Sequence, residues 1–317
     1  MEEFDLIIIG NGAAGLSASI YGRRAGLKVL ILSNNPMGGG QILTTYEVDN
    51  YMGLPGLSGT ELSEKFTKHA KSLGSVFKIE AVKAIYEKGK NHIVKTRRNE
   101  YVTKAVFVAT GASHRPLGVE GEKDFIGMGV SYCATCDGAF YKDKVVAVVG
   151  GGNSALEDAI YLSDIVKKVY LIHRRDEFRA DDIIVKKVLN NEKIEILYDT
   201  LLNKIEGEQF VKNIVIFNKK TEEYKDLEVD GVFIAVGILP NTDKIEGLPK
   251  LDENGYILAG EDTKTSIPWI FAGGDVRKKE LRQIITAASD GANAVNSIKK
   301  YISSAKMIKL SKLIFKN

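Results

Sequence analysis

Both cysteines of the chain lie in one short stretch, SYCATCDGAF at residues 131–140. Two thiols separated by two residues can form a reducible disulfide, and such pairs sit in environments that lower the thiol pKa. Asp137 follows the second cysteine directly, so a carboxyl group is available for the protons that disulfide reduction consumes. The spacing therefore predicts a working dithiol at Cys133 and Cys136.

Two alternatives to a redox dithiol are a structural zinc site and a pair of inert buried thiols. A structural zinc site needs about four ligands, and no histidine stands at finger-like spacing from the pair, so no metal site is expected. The four histidines are His69, His92, His114 and His173. A redox-inert nucleotide-binding protein with two ordinary buried thiols is the other class, and the absorbance of a bound redox cofactor distinguishes it from an enzyme.

A strand–glycine turn–helix pattern occurs twice, at residues 4–26 and 144–164. Its small residues are Gly10, Gly12 and Gly15 in the first copy and Gly150, Gly152 and Ala155 in the second. In dinucleotide-binding folds the first glycine makes the turn, the second lets the main chain approach a pyrophosphate, and the third allows close helix packing. The two copies predict an α/β protein with two Rossmann-like domains.

The residues after each motif indicate the ligand. In the second copy, the strand KVYLI (168–172) runs into HRRDEFRA (173–180), where Arg174, Arg175 and Arg179 suit a 2′-phosphate. NADP(H) is therefore favoured over NAD, with a solvated basic segment as the alternative.

In the first copy, the strand KVLILS (28–33) ends without the expected acid. Asn34 or Asn35 could bond a ribose hydroxyl instead, and the adenosine contacts stay open. The glycine run 38–40 before Gln41 indicates a main chain close to a flat or phosphorylated group.

The order of the motifs predicts a discontinuous first domain, formed by residues 1–114 and 245–317, with the second domain (115–244) inserted between its parts. Pro116 and Pro240 lie in the two short links, which fits a hinge. Asp275 follows a buried strand in WIFAGGDV, where it could accept bonds from hydroxyls or cap the next helix.

Charge and the first residues exclude some partners. A formal net charge of +3 over 317 residues does not indicate a nucleic-acid footprint. The start MEEFDLIIIG resembles neither a secretory signal nor a membrane span, so we expect a cytoplasmic protein without a membrane partner.

The motifs, in their order, closely resemble the low-molecular-weight, bacterial-type thioredoxin reductase family from about residue 4 to 300. They are GNGAAG, GGGQ, ATGA, CATCDG, GGGNSA, HRRDEFRA, AVG and FAGGD…LRQIITAASDGANA. The resemblance implies FAD in the first domain, NADPH in the inserted domain, thioredoxin as the protein substrate and a homodimer. It also implies that the inserted domain rotates to exchange the dithiol and the nicotinamide at the flavin.

The resemblance also implies roles for individual residues. FAD would be bound by Gly10, Gly12, Ala13, Ala14, Gly15, Asn34, Asn35, Gly39, Gly40, Gln41, Asn50, Thr110, Gly111, Asp275, Arg282, Gln283 and Ile284. NADPH would be bound by Gly151, Gly152, Asn153, Ser154, His173, Arg174, Arg175 and Arg179. Cys136 would be the flavin-proximal sulfur, Cys133 would exchange with the substrate disulfide, and Asp137 would donate and accept the proton.

Related reductases define the alternatives. Some relatives take electrons from ferredoxin and lack the basic segment, and others reduce ferredoxin and lack the cysteine pair. This chain has both the basic segment and the cysteine pair, which argues against each of these types. A glutaredoxin-like or peroxiredoxin-linked carrier instead of thioredoxin stays open. The basic tail, with Ile302, Met307 and Leu310 at helical spacing, is expected to pack as a last helix on the FAD domain, with membrane-surface or partner docking of residues 306–317 as the alternative.

Overall fold

The structure of the protein, a computed structural model, describes residues 1–45 and 47–314, without the side chains of residues 44 and 305–314. The chain divides into two compact units. Unit 1 consists of residues 1–43, 57–113 and 239–317, and unit 2 consists of residues 44–56 and 114–238. The assignment of one cofactor to each domain, at the boundaries given above, stays a prediction.

Short apolar segments form the strands, many of them fully buried. The strands are β1 (Glu2–Ile9), β2 (Val29–Ser33), β3 (Val76–Ile79), β4 (Val82–Lys88), β5 (Asn91–Thr96), β6 (Glu100–Val108), β7 (Ala112–His114), β8 (Val130–Ser131), β9 (Val145–Gly150), β10 (Lys168–Ile172), β11 (Ile194–Leu197), β12 (Thr200–Gly207), β13 (Val211–Asn218), β14 (Glu223–Glu228), β15 (Gly231–Ala235), β16 (Ile238–Pro240) and β17 (Ile270–Ala272).

The described part of the chain contains six α-helices, two of which begin directly after the glycine turns. They are α1 (Ala13–Arg24), α2 (Gly59–Ser72), α3 (Ala134–Asp137), α4 (Asn153–Ser163), α5 (Asp182–Leu189) and α6 (Ile284–Ile314), with 3₁₀ turns at Gly40–Thr44 and Gly138–Tyr141. Within the described residues, no helix combines the length and the apolar composition needed to cross a membrane.

Unit 1 is built on a seven-stranded sheet. Its order is β3-β2-β1-β6-β5-β4, and β17 pairs with β6 beyond the end of β5. Strands β1, β2, β3, β6 and β17 are parallel, whereas β4 and β5 form an antiparallel extension. The carboxyl ends of the parallel strands therefore meet at one edge, the edge where nucleotides bind in such sheets.

Unit 2 has a parallel sheet in the order β11-β10-β9-β15-β8, and the antiparallel sheet β12-β13-β14 lies between β11 and β15 in the chain. Residues of β9 alternate between two cores: Ala147 and Val149 belong to one, and Val146 and Val148 to the other. Such a strand is apolar on both faces because helices or a second sheet cover each side. The mixed α/β class predicted from the motifs is confirmed.

The last helix confirms part of the prediction for the tail. Helix α6 packs against α1 in unit 1, where the Ser17 hydroxyl donates to the Ala288 carbonyl at 2.6 Å. Ile302 is buried. The side chains of Met307 and Leu310, and residues 315–317, lie outside the described part, so the role predicted for residues 306–317 stays a prediction.

A buried ion cluster fixes one turn of unit 1. The carboxylate of Asp290 accepts two hydrogen bonds from Arg277 at 2.9 Å, one from Lys279 at 3.0 Å and one from the Gly274 N–H at 2.8 Å. Burial would raise the pKa of Asp290, but these donors outweigh it and hold the pKa below its usual value. Asp290 thereby positions the turn that carries Asp275.

The substitution Asp290→Ala is expected to lower the free energy of unfolding of unit 1 by about 3–5 kcal/mol, because it leaves two buried cations without their carboxylate. Urea denaturation followed by circular dichroism measures the loss. The matched control is Glu261→Ala, which removes an exposed partner of the same Arg277 and should cost about 0–1 kcal/mol. Equal losses in the two variants would contradict the account.

Candidate active site

A disulfide joins Cys133 and Cys136, whose Cα atoms are 5.3 Å apart. Cys133 is the N-cap residue of α3, and Cys136 lies within this short helix. Both residues are partly buried. The predicted cysteine pair is thus present as a disulfide in unit 2.

The carboxyl group of Asp137 lies next to the disulfide. The Ser131 hydroxyl donates to its Oδ2 atom at 2.6 Å, and the Oδ1 atom is buried without a partner among the described residues. Burial raises the pKa of Asp137, and the hydrogen bond from Ser131 opposes that rise. A carboxyl in this setting can hold a proton closer to neutral pH than an exposed one.

A cluster that sequence reasoning missed supports the segment before the disulfide. The Tyr132 hydroxyl donates to the buried carboxylate of Glu122 at 2.8 Å, and the Tyr132 ring stacks on His114 with centroids 4.8 Å apart. Glu122 also accepts the N–H groups of Leu117 and Gly118. No sequence motif marks Glu122, because it acts through two backbone N–H groups and one tyrosine hydroxyl that form no recognisable pattern of residue types.

The second glycine turn is held by His173. A Cβ at Gly151 would overlap the His173 ring. The two ring nitrogens lie 3.1 Å from the Gly150 carbonyl oxygen and 2.9 Å from that of Glu177. His173 is buried, so within unit 2 its ring ties the glycine turn to the segment that carries the arginines.

The predicted 2′-phosphate residues stand at the outer end of the same turn. The Arg179 N–H donates to the Gly151 carbonyl at 2.7 Å. Arg174 and Arg179 are exposed and Arg175 is partly buried, and none of them forms an ion pair with a described residue. Three cationic side chains that lack ion-pair partners within the described part of the chain, beside a glycine turn, are available to an anionic ligand.

Two predicted residues flank that turn at the start of α4. The Asn153 side chain exchanges hydrogen bonds with Asp181: its Nδ2 atom donates to the carboxylate at 2.9 Å, and its Oδ1 atom accepts the Asp181 N–H at 2.8 Å. Ser154 is exposed. Gly152 is the N-cap of α4 without a side-chain cap, which leaves the first N–H groups of the helix to a ligand.

The first glycine turn has the tight packing that its motif predicts. Gly10 has φ +111°, and a Cβ there would overlap the Ala109 carbonyl. A Cβ at Gly15 would overlap the Gly10 carbonyl. Gly12 is the N-cap of α1 and forms a bridge with Gly39, which brings the predicted glycine run beside the turn.

Asn11, between the two glycines, is a residue that sequence reasoning missed. Its Oδ1 atom accepts the Ser33 hydroxyl at 2.8 Å, and its Nδ2 atom donates to the Asn35 carbonyl at 2.7 Å. Asn11 thus orders the segment after β2, in which Asn34 is exposed and Asn35 is partly buried. Amide and hydroxyl groups occupy the place where the common pattern has a carboxylate.

Predicted flavin residues from opposite ends of the chain meet in unit 1. The Gln41 Nε2 atom lies 3.3 Å from Asp275 Oδ2, and the Arg282 guanidinium lies over the Tyr256 ring at 4.3 Å. The Asp275 Oδ1, Thr110 Oγ1 and Arg282 Nε atoms are buried without partners among the described residues. Unpartnered buried polar atoms are costly, so this site fits a polar ligand that would satisfy them.

The structure places the remaining predicted residues as follows. Thr110 and Gly111 are held by Asn241, which was missed: its Nδ2 atom donates to the Thr110 carbonyl and its N–H to the Gly111 carbonyl. Gln283 and Ile284 lie at the start of α6, and the Gln283 N–H donates to the Thr286 hydroxyl. Asn50 is exposed and lies in the segment 44–56 that groups with unit 2, and its contact with FAD stays a prediction.

Comparisons with known proteins agree with this geometry. The family described as "Pyridine nucleotide-disulphide oxidoreductase" matches residues 4–291. The thioredoxin reductase of Bacillus subtilis (strain 168) is 41% identical over 300 residues, which cover 94% of this chain and 95% of that protein.

Solved structures of thioredoxin reductases also superpose on this chain. A thioredoxin reductase from Streptococcus pyogenes is 41% identical and superposes with a TM-score of 0.91, over 95% of this chain and 99% of that one. A Lactococcus lactis thioredoxin reductase, described as the FR conformation, is 39% identical over the same shares of the two chains but has a TM-score of 0.65. The two relatives therefore superpose on this chain to different extents at nearly equal identity.

Proposed function

Since the chain belongs to the pyridine nucleotide-disulphide oxidoreductase family, we propose that Cys133, Cys136 and Asp137 carry out its reaction, the NADPH-dependent reduction of oxidised thioredoxin. The enzyme is an oxidoreductase of the thioredoxin-disulfide reductase type, with FAD and NADPH as cofactors. The observation that carries the proposal is the Cys133–Cys136 disulfide beside the buried carboxyl of Asp137.

We propose that the glycine turn of unit 1 and the Gln41–Asp275 pair hold FAD. The unpartnered Asp275, Thr110 and Arg282 atoms would bond to it. Bound FAD accepts a hydride from NADPH and supplies two electrons to a disulfide. Burial raises the pKa of Asp275, although Lys279 and Arg282 oppose the rise, so this carboxyl suits a hydroxyl or ring N–H better than an anion.

Unit 2 would bind NADPH at its own glycine turn. The N-terminus of α4 and the Gly151–Gly152 backbone face the place of a pyrophosphate in this motif. Arg174, Arg175 and Arg179 would bind the 2′-phosphate through charge-assisted hydrogen bonds. His173, whose two nitrogens contact backbone carbonyls, would hold the glycine turn and the arginine segment in place.

The two sulfurs would have different tasks. Cys136 would be the sulfur nearest the flavin, and Cys133, the N-cap of α3, would attack the disulfide of thioredoxin as a thiolate. Asp137 would give a proton to the leaving sulfur and take it back in the next half-reaction. Its unpartnered Oδ1 atom supports this role.

The two half-reactions require the dithiol and the nicotinamide to reach one flavin in turn. We propose that unit 2 rotates about its connections to unit 1 between them. Support comes from the two solved relatives, whose TM-scores of 0.91 and 0.65 differ at nearly equal identity. The protein is further proposed to act in the cytoplasm, where disulfides are exchanged enzymatically, and to be a homodimer, as is usual in its family.

Replacing either sulfur tests the function directly. Cys133→Ser and Cys136→Ser are each expected to lower the rate of thioredoxin reduction by about 10³-fold or more, because no dithiol can form. Flavin reduction by NADPH, followed by stopped-flow absorbance, should stay within about 2-fold of the parent rate. The control is Thr135→Ser between the two cysteines. Retention of full thioredoxin-reducing activity in a serine variant would refute the proposal.

The arginines determine the choice of nicotinamide cofactor. Arg174→Ala with Arg179→Ala should weaken NADPH binding by about 10–100-fold, because charge-assisted hydrogen bonds to the 2′-phosphate are lost. NADH lacks that phosphate, so its binding should not change. Lys187→Ala, an exposed cation on α5, is the matched control in the stopped-flow measurement. An equal loss for the two cofactors would contradict this assignment.

A further inference from the structure

One hydroxyl group connects the disulfide segment to the acid beside it. Ser131, the last residue of β8, is buried. Its Oγ atom accepts the Cys133 N–H at 3.0 Å and lies 2.6 Å from Asp137 Oδ2. The Ser131 hydroxyl donates to Asp137 Oδ2 at 2.6 Å, whereas its other acceptor, the Cys133 carbonyl oxygen, is more distant at 3.4 Å. The single hydroxyl proton of Ser131 is therefore directed mainly to Asp137, whose Oδ2 atom can accept it whether or not Oδ1 carries a proton. The same atom thus fixes the backbone of one redox sulfur and the side chain of the acid.

We propose that Ser131 is a positioning residue for the proton transfer of Asp137: by occupying Oδ2 it leaves Oδ1 as the atom that holds and delivers the proton. The Oδ1 atom is the one that is buried without a partner among the described residues. This inference rests on the acid–base role proposed for Asp137. It adds that Ser131 determines which oxygen of Asp137 carries the proton and how readily the carboxyl group ionises.

The hydrogen bond from Ser131 is important because the other surroundings of Asp137 disfavour its charged form. Among the described residues, no cation forms an ion pair with Asp137, and burial disfavours its charged form. The titratable group that faces it is Tyr141, whose pKa burial raises to about 12, with the carboxylates of Asp137 and Asp230 adding to the rise. The Lys144 ammonium lies over the Tyr141 ring at 5.6 Å. Hydrogen bonding from Ser131 is therefore the main support of the carboxylate.

The proton balance of the step is simple. Two electrons break the S–S bond and leave one sulfur as a thiolate, while the other takes the proton from Asp137 and becomes a thiol. Asp137 is then a carboxylate that accepts the Ser131 hydrogen bond. When thioredoxin is reduced the carboxylate recovers its proton, so Ser131 contacts the charged form of Asp137 once in each turnover.

The test is the pH dependence of electron transfer to the disulfide in the FAD-loaded enzyme, with NADPH as reductant. This single-turnover rate should fall above the pKa of Asp137, because the acid is then deprotonated. Ser131→Ala removes the bond that favours the carboxylate, so the fall should move to higher pH by about one pH unit. Ser131→Thr retains the hydroxyl and should restore the parent profile.

Two further readouts separate the possible failures. Flavin reduction by NADPH should be unchanged in Ser131→Ala, since Ser131 takes no part in that step. If Asp137→Asn keeps the parent pH profile, the proton role of Asp137 itself is wrong. If Asp137→Asn abolishes the fall but Ser131→Ala leaves it at the parent pH, only the inference about Ser131 is overturned. Ser131→Gly, which also lacks the hydroxyl, replaces the alanine variant should that variant not fold.

Discussion

The chemistry proposed for this protein depends on placing a reducible disulfide and a largely buried carboxyl group in one short segment of the chain. In water the carboxyl of Asp137 would be ionised at neutral pH and would offer no proton. Burial raises its pKa, and the hydrogen bond from Ser131 limits the rise. The same short helix carries Cys136 and Asp137, which supports the proposal that the disulfide and the acid act together.

The parallel sheet of unit 2 creates this arrangement. Strand β8 ends at Ser131, and the chain passes directly into the disulfide segment. A Cβ at Gly138 would come within 3.0 Å of the Leu162 side chain on α4, so the small residue after Asp137 lets α4 cover the site. The sheet thus supplies the burial that the acid needs, and helix α4 begins at the proposed NADPH turn of the same unit.

Two buried carboxylates elsewhere are each held by several hydrogen-bond donors from neighbouring turns of the chain. Glu122 accepts three hydrogen bonds near the disulfide, and Asp290 accepts four near the proposed flavin turn. Among the described residues, buried side-chain atoms without such partners occur at four predicted site residues, Thr110, Asp137, Asp275 and Arg282, and also at Ser63 and Thr67. Since unpaired buried groups are costly, their concentration at predicted site residues favours ligands and reactants there.

Local patterns made the glycine turns, the cysteine pair and the arginine segment predictable, because each places its whole chemistry within about ten residues of the chain. The supporting residues were not predictable. Asn11 and Asn241 act through partners more than 20 residues away that only the fold brings near, and nothing in their own neighbourhood marks them.

An anaerobic titration of the FAD-loaded protein with NADPH, with thiols counted at each step, tests the central claim most directly. The flavin and the disulfide each take two electrons. Full reduction should therefore require about two equivalents of NADPH per chain, with two new thiols formed as the flavin bleaches. Complete bleaching at about one equivalent, without new thiols, would show that electrons do not pass from the flavin to Cys133 and Cys136.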